Sequence, residues 1–387
     1  MRVKAARILF VILMLSSFSY AGLFDIIKDI LSSEKKAKEP IAIPSPKEEI
    51  IIEEDDTGDG EVYYEEEYLP KVSPQKYPFI YKIAFLLPKK IGRYRESTVN
   101  GVISYLIRRE RNFDIRTYDI YGNDPSYLSS LLYKLEDGDV NLIVAPVTKD
   151  VAETLCSLYV RKIIYVPTVS KRAVECSNPN VYFGGIDYLK QFKKLSEVRR
   201  YSQNDGAVAV RDSSSLAKEL NYYSSLYFPH KLNIAVKNGS DIKRAVLENK
   251  KFLKNSNLIL NIPVVKSSLF LSTLYFYSVK PKAVFSTQIN YDPKIFTLTQ
   301  YKMRKNFYIA DSIGTTYFKY SDAAELLDAG IRFDRVNYAT VNGVDYFFVK
   351  SYTDRGRIFK EDMIENSLSY RTRIVVPGKG EFVTILK

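Results

Sequence analysis

The sequence holds few of the residues that enzymes use to bind metals or to activate nucleophiles. Its 387 residues include one histidine, two cysteines and no tryptophan. A lone histidine excludes a histidine-rich metal site and histidine-dependent nucleophilic catalysis, and His230 lies in a Phe-Pro-His turn that enters a predicted strand. The glycine pair Gly184-Gly185 does not match the spacing of phosphate-binding loops. We therefore expect a protein that is not an enzyme and that uses neither a metal nor a cofactor.

No cysteine follows the apolar run near the start of the chain, which excludes a bacterial lipoprotein anchor. Arg2, Lys4 and Arg7 precede that run, residues 8–15, and a small-x-small site ends at Ala21. This order is typical of a cleaved signal peptide over residues 1–21, and it predicts export to the periplasm. The run itself is too short to predict a membrane span.

Two further segments precede the main body of the chain. Residues 22–31 place apolar side chains at helical spacing opposite Asp25, Lys28 and Asp29, which predicts a short helix able to rest on a membrane surface. The alternative is a segment that frays or packs on the main domain. Residues 32–76 lack periodicity and are rich in acidic residues, so they are predicted to form a disordered, flexible linker.

The two cysteines lie on either side of one predicted strand, residues 163–166. Cys156 falls late in the preceding helix, and Cys176 falls in the loop that follows the strand. Because an exported protein can oxidise such a pair, we predict a disulfide between them. The alternative is two separate buried thiols.

Positive charge is concentrated in the body of the chain. The net charge of the whole chain is +12, to which residues 1–21 contribute +3 and residues 22–76 contribute −8, so residues 77–387 carry +17. Two explanations fit a basic main body that follows an acidic linker. The charge could serve only to keep the protein soluble, or it could attract an anionic partner, such as a phospholipid surface, a cell-wall polymer or an acidic protein. The export signal, rather than the charge, argues against nucleic acid as the partner.

Strand and helix patterns alternate along the body, and the first strands end alike. The apolar runs 83–88, 142–146 and 163–167 each close with a proline, and lysine-containing loops follow them. Helical periodicity between the runs predicts βαβ units and a parallel sheet. Ligands bind beyond the carboxyl ends of such strands, so these loops are predicted to lie at a functional edge.

The strand ends resemble those of a known fold. The runs I-A-F-L-L-P (83–88), A-P-V-T (145–148), V-P-T-V-S (166–170), N-P-N-V-Y-F-G (178–184) and A-V-A-V-R-D-S-S (207–214) are similar to the type I periplasmic-binding fold. Leucine-binding proteins, receptor ligand-binding domains and outer-membrane activators of penicillin-binding proteins share that fold. The resemblance implies an α/β protein with two Rossmann-like lobes, parallel sheets and a hinge. Lobe 1 is expected over about residues 80–200 plus part of the C-terminal region, and lobe 2 over about residues 205–320.

The resemblance also implies where a ligand would bind. In amino-acid-binding members, hydroxyl residues after the third and fourth strands hold the ligand carboxylate, and an acidic residue of the second lobe holds the ammonium group. Thr148 matches the position after the third strand, and Thr168 and Ser170 fall at the position after the fourth, although Thr148 and Ser170 could instead cap helices. Asp311 is the best match to the acidic residue of the second lobe. Lysines stand where small residues are usual, which favours a more anionic ligand or a cleft no longer used for small molecules. The predicted ligand-binding residues are Lys89, Lys90, Thr148, Lys149, Thr168, Ser170, Lys171, Asp212, Gln288, Asn290 and Asp311.

These features together predict a non-enzymatic periplasmic solute-binding protein, similar to the substrate-binding components of ABC transporters. It is expected to close on a small amino-acid-like or anionic ligand. The alternative is an envelope regulator or scaffold that uses the same fold to bind a macromolecule, such as a cell-wall synthase or an anionic envelope polymer. The expected partners are a small molecule or an envelope protein, together with a membrane surface through residues 22–31 and no nucleic acid.

Overall fold

The structure is a computed structural model that describes residues 80–89, 92, 94–110, 112–198, 206–314, 324, 326–352 and 356–386. The predicted signal peptide, amphipathic segment and acidic linker, and also Lys90, lie outside the described residues. Within the described part of the chain, no helix is long and apolar enough to cross a membrane.

Strands and helices alternate through most of the described chain. In chain order the strands are β1 (Tyr81–Pro88), β2 (Phe113–Ile120), β3 (Leu142–Val144), β4 (Ile164–Val166), β5 (Val181–Phe183), β6 (Ala207–Arg211), β7 (His230–Ala235), β8 (Asn257–Asn261), β9 (Ala283–Ser286), β10 (Phe307–Asp311), β11 (Asp362–Ile364), β12 (Ser367–Ser369), β13 (Arg373–Pro377) and β14 (Phe382–Leu386). The helices are α1 (Tyr94–Arg108), α2 (Pro125–Glu136), α3 (Lys149–Ser157), α4 (Tyr188–Val198), α5 (Ser215–Ser225), α6 (Gly239–Glu248), α7 (Lys250–Leu253), α8 (Val264–Phe276), α9 (Lys294–Leu298), α10 (Tyr301–Arg304) and α11 (Arg335–Tyr352).

The strands form two seven-stranded sheets, one in each lobe. The first has the order β11-β12-β5-β4-β3-β1-β2, and the second has the order β14-β13-β10-β9-β8-β6-β7. Strands β1 to β5 pair in parallel, as do β6 to β10. Antiparallel pairing is added by the C-terminal hairpins β11–β12 and β13–β14 and where β13 meets β10. The predicted two-lobed α/β architecture is confirmed, with mixed rather than purely parallel sheets.

Strand β1 shows why the apolar runs fold as buried strands. Ile83 and Phe85 face a core that they share with α1 and α11, whereas Ala84 and Leu86 face a second core beneath α2 and α3. A strand with helices on both faces needs apolar side chains at every position, which is the pattern of the run that Pro88 closes.

The chain passes between the sheets three times. It leaves β5 for α4, returns from β10 to α11, and leaves β12 for β13. Helix α4 buries Phe192 and Leu195 against Ala209 and Ile259 of the second sheet. It therefore packs in the second lobe, although the expected boundary of lobe 1 lay near residue 200.

Tyr165 of β4 holds the first crossing and helix α11 together. Its hydroxyl donates to the Ala339 carbonyl at 2.6 Å. A Cβ atom added at Gly184 or at Gly343 would lie 1.8 Å or 2.0 Å from the Tyr165 side chain, so only glycine fits at both positions. In the third crossing, Tyr370 donates to the Gly184 carbonyl and ties two of the crossing segments to each other.

The disulfide lies beside β4, as the sequence predicts. The structure joins Cys156 to Cys176, whose Cα atoms are 5.2 Å apart, so the predicted disulfide is confirmed. The hairpin β11–β12 was not predicted.

Candidate functional site

The first loops of lobe 1 place their predicted residues at the surface. The Lys89 ammonium lies 5.7 Å from the centre of the Tyr121 ring. Thr148 is exposed at the N-cap position of α3, but its side chain makes no capping hydrogen bond. Lys149 is also exposed, with its ammonium 3.6 Å from Glu153. None of these three residues lines the cavity beside the first crossing that is described below.

A hydrogen bond joins the loop after β4 to the loop after β3. The Thr168 hydroxyl donates to the Val147 carbonyl, and the Lys171 ammonium donates to the Glu365 carbonyl of the β11–β12 hairpin. Ser170 is half-buried at the start of the turn Lys171–Ala173, and its side chain caps no helix. Thr168 and Lys171 thus each have a partner within the protein, whereas the Ser170 side chain makes no capping hydrogen bond.

Ser170 and Lys171 open into a cavity of about 350 Å³ beside the first crossing. The cavity is bounded by the loop after β4, the start of α4 and the β11–β12 hairpin, so elements of both lobes contribute. Its lining residues are Ser170, Lys171, Arg172, Gly185, Asp187, Lys190, Ile364, Glu365, Ser367, Leu368 and Ser369.

The charges of this cavity are arranged unevenly. Arg172 Nε lies 2.9 Å from Asp187. Asp187 also accepts hydrogen bonds from the backbone N–H groups of Leu189 and Lys190, at 3.0 Å and 3.3 Å, and so caps α4. Lys190 is exposed, and its ammonium makes no ion pair within the described part of the chain. The carboxylate of Asp187 is therefore committed to protein donors, and the ammonium of Lys190 is not committed.

The second-lobe residues Gln288 and Asn290 are buried at the carboxyl edge of their sheet. Gln288 Oε1 accepts from Gln191 Nε2 and from the Ser312 backbone N–H, each at 3.0 Å. Asn290 Nδ2 donates to the Ile262 carbonyl at 3.0 Å. These amides join α4 and the strand ends to one another, and their side chains do not reach the surface.

Asp311 is fully buried at the end of β10 and is held by Arg373 at the start of β13. The guanidinium Nε and Nη2 atoms lie 2.9 Å and 2.7 Å from Asp311 Oδ2, and the Ile313 backbone N–H donates to Oδ1 at 3.0 Å. Burial raises the pKa of Asp311 to about 6, even though Arg373 stabilises the carboxylate. The predicted ammonium ligand is thus already paired inside the protein.

Asp212 is paired in a similar way at the end of β6. Lys266 Nζ lies 2.8 Å from its Oδ2, and the Ser214 backbone N–H and hydroxyl donate to its Oδ1 at 3.0 Å and 2.6 Å. Burial alone would raise the pKa of Asp212, but the hydrogen bonds from Lys266 and Ser214 hold it below its ordinary value.

The same edge of the second sheet carries buried polar atoms that are not hydrogen-bonded. Thr287 Oγ1, Gln288 Nε2, Asn290 Oδ1 and Ser268 Oγ have no partner among the residues that the structure describes. Buried polar atoms are nearly always hydrogen-bonded in folded proteins. Lobe 2 therefore holds a group of buried polar atoms with hydrogen-bonding capacity to spare.

The sequence reasoning missed Arg172, Lys190 and the hairpin that closes the cavity. Arg172 directly follows the predicted Lys171, so its position in the same basic loop could have identified it as a cavity residue. The hairpin gave little signal because its tight turn places Glu365 and Asn366 at positive φ, 47° and 61°, without a glycine.

Comparison with known proteins places the chain by its fold. No protein-family model matches the sequence. No curated protein matches it either. The arrangement of the two lobes, however, matches many solved structures and is that of the type I periplasmic-binding fold.

Three of these structures illustrate the likeness. A branched-chain amino acid ABC transporter periplasmic ligand-binding protein from Burkholderia xenovorans has a TM-score of 0.58 and 8% identity, covering 79% of this chain and 94% of its own. The substrate-binding protein LivJ from Streptococcus pneumoniae, in complex with isoleucine, has a TM-score of 0.55 and 10% identity, covering 80% and 100%. Haemophilus influenzae LpoA has a TM-score of 0.53 and 9% identity, covering 80% of this chain and 59% of its own. Identities this low establish the fold alone.

Proposed function

We propose that this protein is a non-enzymatic binding component of the periplasm that closes its two lobes on a small anionic ligand. The observation that carries the proposal is the cavity of about 350 Å³ beside the first crossing. Its volume falls within the range of small-molecule sites. Lobe 1 supplies Ser170 and Lys171, and α4 of lobe 2 supplies Lys190, so a ligand that contacted all three would hold the lobes together.

The charges of the cavity favour an anion over a neutral ligand. Lys171, Arg172 and Lys190 face two carboxylate residues, Asp187 and Glu365. Asp187 is used to cap α4 and to pair with Arg172, which leaves the Lys190 ammonium and the Ser170 hydroxyl as groups suited to an incoming carboxylate or phosphate.

An amino-acid ligand fits this arrangement less well than a simple anion. Binding an ammonium group at Asp311 would require the carboxylate to exchange its buried contacts with Arg373. Breaking such a buried pair is costly, on the order of 3–5 kcal/mol. Asp311, Gln288 and Asn290 are better suited to stiffen the hinge and the strand ends than to contact the ligand.

A thermal-shift screen of the full chain against small carboxylates, phosphates and amino acids tests the proposal. We expect an anion to raise the unfolding temperature, and we expect Lys190→Glu and Ser170→Ala to remove most of that rise. Lys149→Glu is the matched control, because Lys149 is an exposed lysine of lobe 1 that lies outside the cavity. Full stabilisation of Lys190→Glu by the same anion would show that the cavity is not the binding site.

A scaffold that binds an envelope macromolecule is the second candidate. It is favoured by Lys89 and Lys149, which follow strand ends of lobe 1, lie exposed and are outside the cavity of the proposed ligand site. A ligand screen without any stabilising anion, together with salt-sensitive capture of one defined cell-wall synthase, would support this role over the first.

A further inference from the structure

Helix α8 of lobe 2 is apolar on its outer side as well as on its inner side. Its thirteen residues include one charged side chain, Lys266. Phe270 and Leu274 pack into the core of the second lobe. Val265, Leu269 and Phe276 point the other way and are 58%, 43% and 77% exposed. A surface helix usually presents polar side chains outward, so this helix has an outer stripe suited to an apolar partner.

The neighbouring helices extend this stripe. Helix α6 lies against α8, since a Cβ atom on Gly239 would be 3.3 Å from Leu269 Cδ2. Helix α7 reaches the C-terminal end of α8, where the Lys250 ammonium lies 5.1 Å from the centre of the Tyr277 ring. Exposed apolar side chains continue on the flanking helices, and with the stripe of α8 they form what we call the α8 face: Leu247, Phe252, Val265, Leu269, Phe276, Leu298 and Tyr301.

The segment that builds the α8 face is strongly basic. Residues 237–305 contain thirteen lysines and arginines and three acidic residues. Lys250, Lys251 and Lys254 are exposed beside Phe252, and Lys302 and Lys305 are exposed beside Tyr301. An apolar stripe between basic flanks is complementary to a surface that is negative outside and apolar within.

Two other occupants fit this face poorly. A second copy of the chain would bring one basic face against another in a two-fold dimer, and the like charges would repel. A segment inserted as a helix would need a groove, whereas the stripe lies on the outer side of α8 and its members are exposed.

We propose that the α8 face binds the surface of an anionic lipid bilayer. Val265, Leu269 and Phe276 enter the boundary between headgroups and acyl chains, and the lysines of α7 lie against lipid phosphates. The contact is peripheral and reversible. The proposal rests on described residues of α6 to α10 alone, and none of them lines the cavity of the proposed ligand site.

Vesicle co-sedimentation of the full chain tests this proposal. Vesicles of phosphatidylcholine with phosphatidylglycerol are compared with vesicles of phosphatidylcholine alone. We expect binding to the anionic vesicles that weakens as salt is raised, and little binding to the neutral ones. The double variant Leu269→Ser, Phe276→Ser is expected to lower the partition coefficient about tenfold or more, because both apolar side chains are lost from the contact.

Matched variants distinguish binding by the α8 face from nonspecific adsorption of the protein to vesicles. Tyr133→Ser with Tyr159→Ser removes two exposed aromatic residues of lobe 1 and is expected to leave vesicle binding unchanged. Lys250→Glu with Lys251→Glu is expected to lower binding about tenfold or more, whereas Lys134→Glu with Lys149→Glu in lobe 1 is not. All the altered side chains are exposed, so the unfolding temperature should stay at that of the parent.

Three results would overturn the proposal. One is equal binding of the parent to neutral and anionic vesicles. Another is parent-like binding by the double variant Leu269→Ser, Phe276→Ser. The third is a change of oligomeric state or loss of a bound protein in the variant Leu269→Ser, Phe276→Ser, measured by sedimentation, while its vesicle binding is unchanged. That result would show that the α8 face binds protein rather than lipid.

Discussion

The buried pair of Asp311 and Arg373 links the second sheet to the last crossing, and its removal should make stability depend more steeply on pH. Folding raises the pKa of Asp311 from 3.8 to about 6. The carboxyl therefore favours the folded state most when both states are protonated, below about pH 4, and that contribution is lost as pH rises through about 6. Above about pH 6 this pKa shift lowers the free energy of unfolding of the parent protein by about 3 kcal/mol relative to its value below about pH 4.

Arg373→Met keeps much of the apolar stem and removes the positive charge. Above about pH 6 the variant must hold an ionised Asp311 without its guanidinium partner, or protonate it. Loss of the positive charge raises the pKa of Asp311 further, so the variant is destabilised more at about pH 8 than at about pH 5, by about 1–3 kcal/mol. The total loss at the higher pH should be about 3–5 kcal/mol, as for other broken buried pairs.

Urea denaturation of parent and variant at about pH 5 and about pH 8 measures this difference. Arg244→Met is the control, since Arg244 pairs with Asp241 at the surface and should contribute less than about 1 kcal/mol at either pH. If Arg373→Met loses the same free energy of unfolding at both pH values, then Asp311 does not depend on the guanidinium for its charge, and the reasoning is refuted.

Three further predictions concern other parts of the fold. Replacing Cys156 and Cys176 by serine should lower the free energy of unfolding by about 3 kcal/mol in urea, and an unchanged value would mean that the bridge constrains little. Gly343→Ala should cost about 1–3 kcal/mol or more because its Cβ meets the Tyr165 ring, whereas Gly380→Ala, which has open space, should cost little in the same assay. Burial lowers the pKa of His230, so the neutral side chain contributes stability above about pH 6.5 that is lost as pH falls through the folded-state pKa. His230→Gln should therefore show a smaller drop in melting temperature between about pH 7 and about pH 5 than the parent. An equal drop would show that His230 does not contribute this pH dependence.

The sequence was a good guide where burial alone decides the structure. The proline-closed run at Pro88 became a strand buried on both faces, and the disulfide formed where both cysteines flank β4. The sequence did not show that α4 packs in lobe 2, because Phe192 and Leu195 are equally suited to either core.

The candidate site was harder to predict because its contacts are distant in sequence. Asp311 looked suited to a ligand until Arg373, 62 residues later, was found beside it. Lys190 reaches the cavity because of how α4 sits, and the hairpin that carries Glu365 has short strands with little apolar patterning. The local sequence pattern therefore predicted which edge of the sheet carries the polar residues. It could not predict the hydrogen-bond and ion-pair partners of those residues, because the partners are distant in sequence.

We propose that the two lobes close on a small anion held by Ser170 and Lys171 of lobe 1 and by Lys190 of lobe 2. Spin labels at Tyr133→Cys in α2 and Tyr222→Cys in α5 report on opposite lobes from exposed positions. The distance between them should shorten when the stabilising anion is added, and it should not change in the Lys190→Glu variant. An anion that binds the parent tightly and leaves the distance between the labels unchanged would contradict closure of the lobes on the ligand.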